Sequence, residues 1–403
     1  MKLSKLMLSA AVAALALVSC NKQGTTPEPS KTLKSVEINI ENLVTKGAAE
    51  SAITEGTAVK LNDVKIYLVD GNGKFYPGKT ADGTADAQSY FSTAEDVNAA
   101  TAGTVSFHYV DRAVTHVIAV GNMGETTFDN EAALNAYMLN IDAQQLQGDL
   151  KLYSKEQLTG PDGTHGNDSW TEDGKTATQE NQVYKADLTL MPRIARFEVD
   201  GFRVKFTADD PATTDVVEAP IYNNITISQL AFTNYQPQTT LYTLAPSGDV
   251  VNAVADYTNE TAVYQWFVDH LNGGTAAAPA WSYYVDATPL SFDAPAAGGE
   301  VAKDFTVKQA FHFFPGTQVP TFLVHLTADG VPAFLYTKNI NLEGTAMTAA
   351  DFKAGYVYRM SAASEAGEDG SILVDEKVID PMDRCLDITV SVEKWVVELV
   401  TPE

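Results

Sequence analysis

The chain has 403 residues, with 27 basic against 52 acidic side chains and a formal charge of −25 at neutral pH. A surface that negative repels phosphate, which disfavours nucleic acid as a partner and docking on an anionic bilayer face. A hydrophobic fraction of 45% with 20% charged residues is that of a packed globular protein, and six His with two Cys are too few for a dedicated zinc or iron–sulfur centre.

At the N-terminus, Lys2 and Lys5 precede the apolar run Leu6–Val18, which ends at Ser19-Cys20. Residues 1–19 therefore have the build of an export leader, too short for a membrane-spanning helix. Leu17-Val18-Ser19-Cys20 is similar to the lipobox of bacterial lipoproteins, where the Cys thiol receives diacylglycerol, so Cys20 is the expected anchor. Cys385 is then left alone, and no intrachain disulfide is expected.

Asn21–Ser30, with Gly24, Pro27 and Pro29, reads as a tether. Val36, Ile38 and Ile40 then alternate with polar residues, the period of a half-buried strand. After Lys46 come the small residues Gly47-Ala48-Ala49, which makes Lys46 an accessible site for a trypsin-like protease. Strands follow in series: Val64–Asp70, the turn Asp70-Gly71-Asn72-Gly73, Lys74–Tyr76, Val105–Val110 and Ala113–Val120, the last apolar enough to be buried on both faces. Phe128–Leu146 has the spacing of one short helix, and Gly160–Glu180 has the composition of a loop. Further strands are predicted in Tyr184–Val204, Ile221–Phe232, Phe305–Phe314, Thr321–Thr327, Ala333–Ile340 and Tyr356–Met360, with a hairpin loop at Ala328-Asp329-Gly330. A boundary near Ala186 divides this all-β pattern into two sandwiches with little helix.

The sequence holds no nucleophile elbow, no H-E-x-x-H and no P-loop, and Gly71-Asn72-Gly73 lacks a third glycine. His108, His116, His312 and His325 have no partners at ligand spacing, and Asp70 and Asp82 lack the calcium-loop pattern. No enzymatic activity, cofactor or metal is expected.

Towards the C-terminus, Ser361–Met382 reads as a linker. Ile388, Val390 and Val392 then alternate, the phase slips at Lys394, and alternation resumes on Trp395, Val397 and Leu399. Asp387–Val400 is thus a two-part strand that either folds back on its own sheet or enters another chain by strand addition.

In their order along the chain, these pieces resemble the fimbrillins of Bacteroidota, the FimA-like subunits of donor-strand pili. The likeness rests on the Ser19-Cys20 leader, the pre-strand ending at Lys46, Val117-Ile118-Ala119-Val120-Gly121-Asn122, Met191-Pro192-Arg193-Ile194-Ala195-Arg196-Phe197, Val319-Pro320-Thr321-Phe322-Leu323-Val324 and the closing Asp387–Trp395. Lys46 stands where the family's best-known processing residue is Arg. The resemblance implies two tandem transthyretin-like β-sandwich domains, residues 47–186 and 187–362. Residues 20–46 would be a tether and removable strand, and 363–403 a linker and donor strand. It further implies that Val36, Ile38 and Ile40 complete the first domain until a trypsin-like protease cuts between Lys46 and Gly47. A neighbour's Ile388, Val390, Val392, Trp395, Val397 and Leu399 would then fill the groove. The implied function is that of a shaft subunit in a surface fimbrium, active in adhesion and biofilm. It would be lipidated at the outer membrane first and extracellular afterwards, with copies of itself and related fimbrial subunits as partners. Two other readings are a glycan-binding surface lipoprotein that uses Trp170, Trp266 and Trp281, and a fimbrial anchor or tip component.

Overall fold

A computed structural model of the chain describes residues 33–40, 43–45, 59–79, 85–86, 89–91, 104–144, 148–172, 175–208, 218–251, 283–362, 370–379, 385–394 and 397–399. Apolar alternation makes β1 (Leu33–Ile40), followed by the short β2 (Leu43–Thr45) and β3 (Val59–Leu61). β4 (Val64–Asp70) turns at Gly73, with φ of 80°, into β5 (Phe75–Tyr76). Three small strands, β6 (Gly78–Lys79), β7 (Ala85–Asp86) and β8 (Ser89–Phe91), precede β9 (Thr104–Asp111) and β10 (Val114–Gly121). The helix α1 (Glu131–Asn135) is opened by Asn130, whose side chain accepts from the Ala133 amide. Then come β11 (Met138–Asn140), β12 (Leu152–Gln157), β13 (Thr164–Glu172), β14 (Lys175–Leu188) and β15 (Met191–Pro192).

Most of these strands form two sheets, ordered β13-β14-β1-β9-β6-β7 and β15-β12-β10-β4-β5, that share one core. Every residue of β4 is buried, as are all but one of β10. Strands buried along their whole length need cover on both faces. On the outer face Tyr67 meets Phe75 and Phe128 at ring distances of 4.5 and 6.3 Å.

A second core begins at Ala195, next in the chain to Ile194 of the first. The strands that follow are β16 (Ala195–Phe206), β17 (Asn224–Thr233), β18 (Gln238–Thr240), β19 (Pro246–Ser247), β20 (Tyr283–Asp293), β21 (Gly299–Phe313), β22 (Thr321–Ala328) and β23 (Val331–Leu342). β24 (Thr345–Ala346), β25 (Tyr356–Met360) and β26 (Leu373–Asp375) complete the run before the C-terminal segment. One sheet holds β21, β16 and β25, and the other holds β20, β17, β22, β23 and β24 in that order. The β22–β23 hairpin turns on Asp329 and Gly330, at φ of 46° and 79°, the pair of left-handed residues that a two-residue turn of this hand requires. Phenylalanine dominates this core: Phe232 lies 5.1 Å from Phe197 and 5.0 Å from Phe313.

Two stretches depart from the sequence reading. Gly160–Glu180 contains the β13–β14 hairpin, in register from Thr164↔Gln182 to Glu172↔Lys175, and is not a loop. β13 is an outermost strand whose order comes from its ladder, so no apolar alternation marks it. Within Ser361–Met382, Ile372, Val374 and Ile379 are buried, and β26 runs parallel to β16. The acidic composition suggested a solvated linker. One of those acids, Glu376, is 1% exposed, and its carboxylate accepts from the backbone amides of Thr207, Ile221 and Tyr222.

The two units are stitched together. β11 of the first pairs with β18 of the second, and Leu241 enters the first core. Arg193 donates to the carbonyls of Leu241 and Tyr242 at 2.8 and 2.6 Å and lies 5.1 Å from the centre of the Tyr153 ring. Burial lowers its pKa to about 10. A buried polar cluster forms the other seam: Arg196 pairs with Glu198 at 2.6 Å, and Arg359 with the other Glu198 oxygen at 2.9 Å. Arginine only donates, so His312 Nε2, 3.2 Å from Arg196, is an acceptor, and Nδ1–H donates to the Gln144 carbonyl at 2.8 Å. The ring is therefore neutral; burial and then Arg196 lower its pKa to about 3.

Candidate functional site

β1 lies in the middle of its sheet, antiparallel to β9 and parallel to β14. Ile38 stands level with Val105 on one side and Ala186 on the other. Val36 and Ile38 are fully buried and Ile40 is 2% exposed, so the strand closes the first core. Withdrawing it would expose the ladder edges of β9 and β14 and uncover core side chains beside it, including Phe107, level with Val36, and Leu188, level with Ile40. The slot is also polar at one end. Lys34 is 4% exposed, donates to the Val114 carbonyl and lies 4.3 Å from the centre of the Tyr184 ring. Burial, and then Arg112, lower its pKa to about 8. Counting apolar alternation passes over this lysine.

The C-terminal run divides where the sequence pattern is unbroken. β27 (Cys385–Thr389) runs parallel to β23, and β28 (Ser391–Lys394) runs antiparallel to β25 in the opposite sheet. The chain crosses the sandwich at Val390. Leu386, Ile388 and Val390 are 0–1% exposed members of the second core, and Val392 stands level with Tyr358. β29 (Val397–Leu399) then reaches the first unit and lies between β2 and β3, parallel to both. In the single chain, then, Ile388 and Val390 are seated at home, while Val397 and Leu399 stand level with Val59 and Leu61 of the first unit.

Cys20, Lys46, Gly47, Trp266, Trp281 and Trp395 lie outside the described residues, and Trp170 belongs to β13. Of the histidines, His116 Nε2 meets Glu131 at 3.1 Å, and Lys155 meets the other Glu131 oxygen. Burial, and then Lys155, lower the His116 pKa; Lys155 and His116 hold the Glu131 carboxyl below its usual value against the effect of burial. Among the described residues no group of three His, Cys, Asp or Glu could hold a metal ion. Sequence reasoning missed β2 and β3, each only three residues long, and with them the sheet that joins both ends of the chain.

No family model matches the chain, and no curated protein does. Solved structures align over most of its length. A fimbrilin from Porphyromonas gingivalis W83 is 12% identical with a TM-score of 0.47, over 91% of this chain and 99% of that one. A candidate cell-adhesion protein from Bacteroides eggerthii is 11% identical with a TM-score of 0.45, over 92% and 98%. The tip fimbrial protein Mfa3 from Porphyromonas gingivalis is 8% identical with a TM-score of 0.37, over 90% and 100%.

Proposed function

We propose that the protein is a structural subunit of a surface fimbrium, lipidated at Cys20, cut after Lys46 and polymerised by strand exchange. The observation that carries this reading is the position of β1: a strand at the chain's N-terminal side fills the middle of the first sheet and the core beneath it. While tethered, β1 acts at an effective concentration of the order of millimolar or more; once cut, it is one dissociable peptide among others. An incoming strand that buries equal or greater apolar area, at ~1.5–3 kcal/mol per side chain, then replaces it.

The burial of Leu386, Ile388 and Val390 in the second core favours a shorter donor than the stretch from Ile388 to Leu399. Trp395, Val397 and Leu399 repeat the i, i+2, i+4 spacing of Val36, Ile38 and Ile40, so residues after Lys394 can fill the slot without unfolding their own domain. Both readings are of a shaft subunit, which needs a strand to lose and a strand to give. An anchor or a tip needs only one of these.

Treating the lipidated full chain with a trypsin-like protease tests the reading. The expected product begins at Gly47, carries no lipid and forms a ladder of polymers, while Lys46→Ala stays a lipidated monomer. Acylated Cys20 in assembled polymer, or polymers from Lys46→Ala, would overturn it.

A further inference from the structure

The three-stranded sheet β2-β29-β3 contains only parallel pairs: Leu43↔Val397↔Val59, Val44↔Glu398↔Lys60 and Thr45↔Leu399↔Leu61. Its members come from three separate parts of the chain. β2 follows β1 directly and ends one residue before Lys46, whereas β3 resumes at Val59, beyond the cut. The C-terminal strand is therefore threaded between the two strands that flank the processing segment. The arrangement is asymmetric. Among the described residues β29 is the one strand that pairs with β2, while β29 itself has both β2 and β3.

We propose that this sheet is a latch that fastens the exchanging C-terminal strand to the removable N-terminal segment, so that each holds the other in the uncut monomer. The inference rests on the strand-exchange reading above and adds its control. With β29 docked, β2 is held in a ladder immediately before Lys46, and a strand in a ladder resists entry into a protease cleft. Once residues through Lys46 depart, β29 loses one entire edge and keeps only β3, so a single cut opens the slot and loosens the strand destined for a neighbour's. By linkage the coupling is reciprocal: loss of β29 loosens β2. A subunit is thereby kept from offering its C-terminal strand before its own groove is open.

The test uses the uncut full-length protein and measures amide exchange, so it needs no polymer. A chain ending at Lys394 keeps β27 and β28 and lacks β29. Its amides at Leu43–Thr45 should exchange about tenfold faster or more, and cleavage after Lys46 by a trypsin-like protease should accelerate by a similar factor. Glu398→Pro, which interrupts β29 at its centre, should reproduce both effects if the truncation disturbs folding. In the other direction Val44→Pro should reduce protection of Val397–Leu399 by a smaller factor, because β3 remains. Slow exchange in β16 serves as the folding control. Unchanged exchange at Leu43–Thr45 in both β29 variants would overturn the latch, whether or not cut protein polymerises. Faster exchange with no polymer after cutting would leave the latch standing and overturn strand exchange instead.

Discussion

Lys34 places a titratable cation inside the slot that β1 fills, with burial and then Arg112 lowering its pKa, Asp111 raising it and the Tyr184 ring beside it. Its folded pKa of about 8 lies below the ordinary lysine value, so the docked strand prefers the neutral amine. Raising the pH through 8 deprotonates docked Lys34 while a released strand stays charged to near 10.5, and docking strengthens across that window. In cut protein, the fragment carrying β1 should dissociate more slowly at pH 9.5 than at pH 7.5, and Lys34→Met should abolish the difference, as read by mass spectrometry of released peptide. The buried Arg196–Glu198–Arg359 group behaves differently. Glu198→Gln leaves Arg196, 2% exposed, without its counter-charge and should cost ~3–5 kcal/mol, seen as a lower denaturant midpoint at unchanged slope. Beside it, His312 stays neutral in the fold down to about pH 3, whereas the unfolded chain binds its proton near 6.5. Stability is therefore lost as pH falls below 6.5, by up to ~1.4 kcal/mol per pH unit from this ring, and His312→Gln should flatten that slope.

At the scale of elements, two truncations separate what the C-terminal run does at home from what it offers outside. Ending the chain at Met382 removes Leu386, Ile388 and Val390 from the second core, along with β27 and β28. At ~1.5–3 kcal/mol per side chain, plus two lost ladders, the loss approaches the stability of an ordinary domain, and calorimetry should find the second unit unfolded. Ending it at Lys394 should leave the melting midpoint near that of the full-length chain. The contrast also marks how far the sequence was legible. Strands with apolar alternation or continuous apolar runs, such as β1, β4, β10 and β22, announce themselves because burial dictates their residues. β13 and β26 do not: one is a polar edge strand held by its ladder, and the other hides in an acidic stretch whose Glu376 is buried against three amides. The regular pattern through Val390 conceals a change of sheet, since a strand crossing a sandwich keeps its apolar side chains inward on both sides of the crossing. For the slot, Val36, Ile38 and Ile40 were readable, whereas Lys34 and the three-residue β2 were not, because neither has a periodic signature.

Across the whole molecule, the two cores are joined by the β11–β18 ladder, the Arg193 clamp and the His312–Gln144 bond. They should therefore melt in one transition. Arg193→Met strips two carbonyls of their donor and should cost ~1–3 kcal/mol, with calorimetry now resolving two transitions. The parallel sheet at the chain's two extremes has a mechanical consequence as well. Tension drawn between the start of β1 and the end of β29 pulls β2 back along its own axis and β29 forward along the same axis. Two parallel strands loaded this way slide against each other, so their cross-links bear the load together. A hairpin pulled at its open end peels instead, one bond at a time. A chain stretched between the start of β1 and the end of β29 thus meets its resistance at this sheet in shear, and the β2–β29 ladder yields as a unit instead of bond by bond.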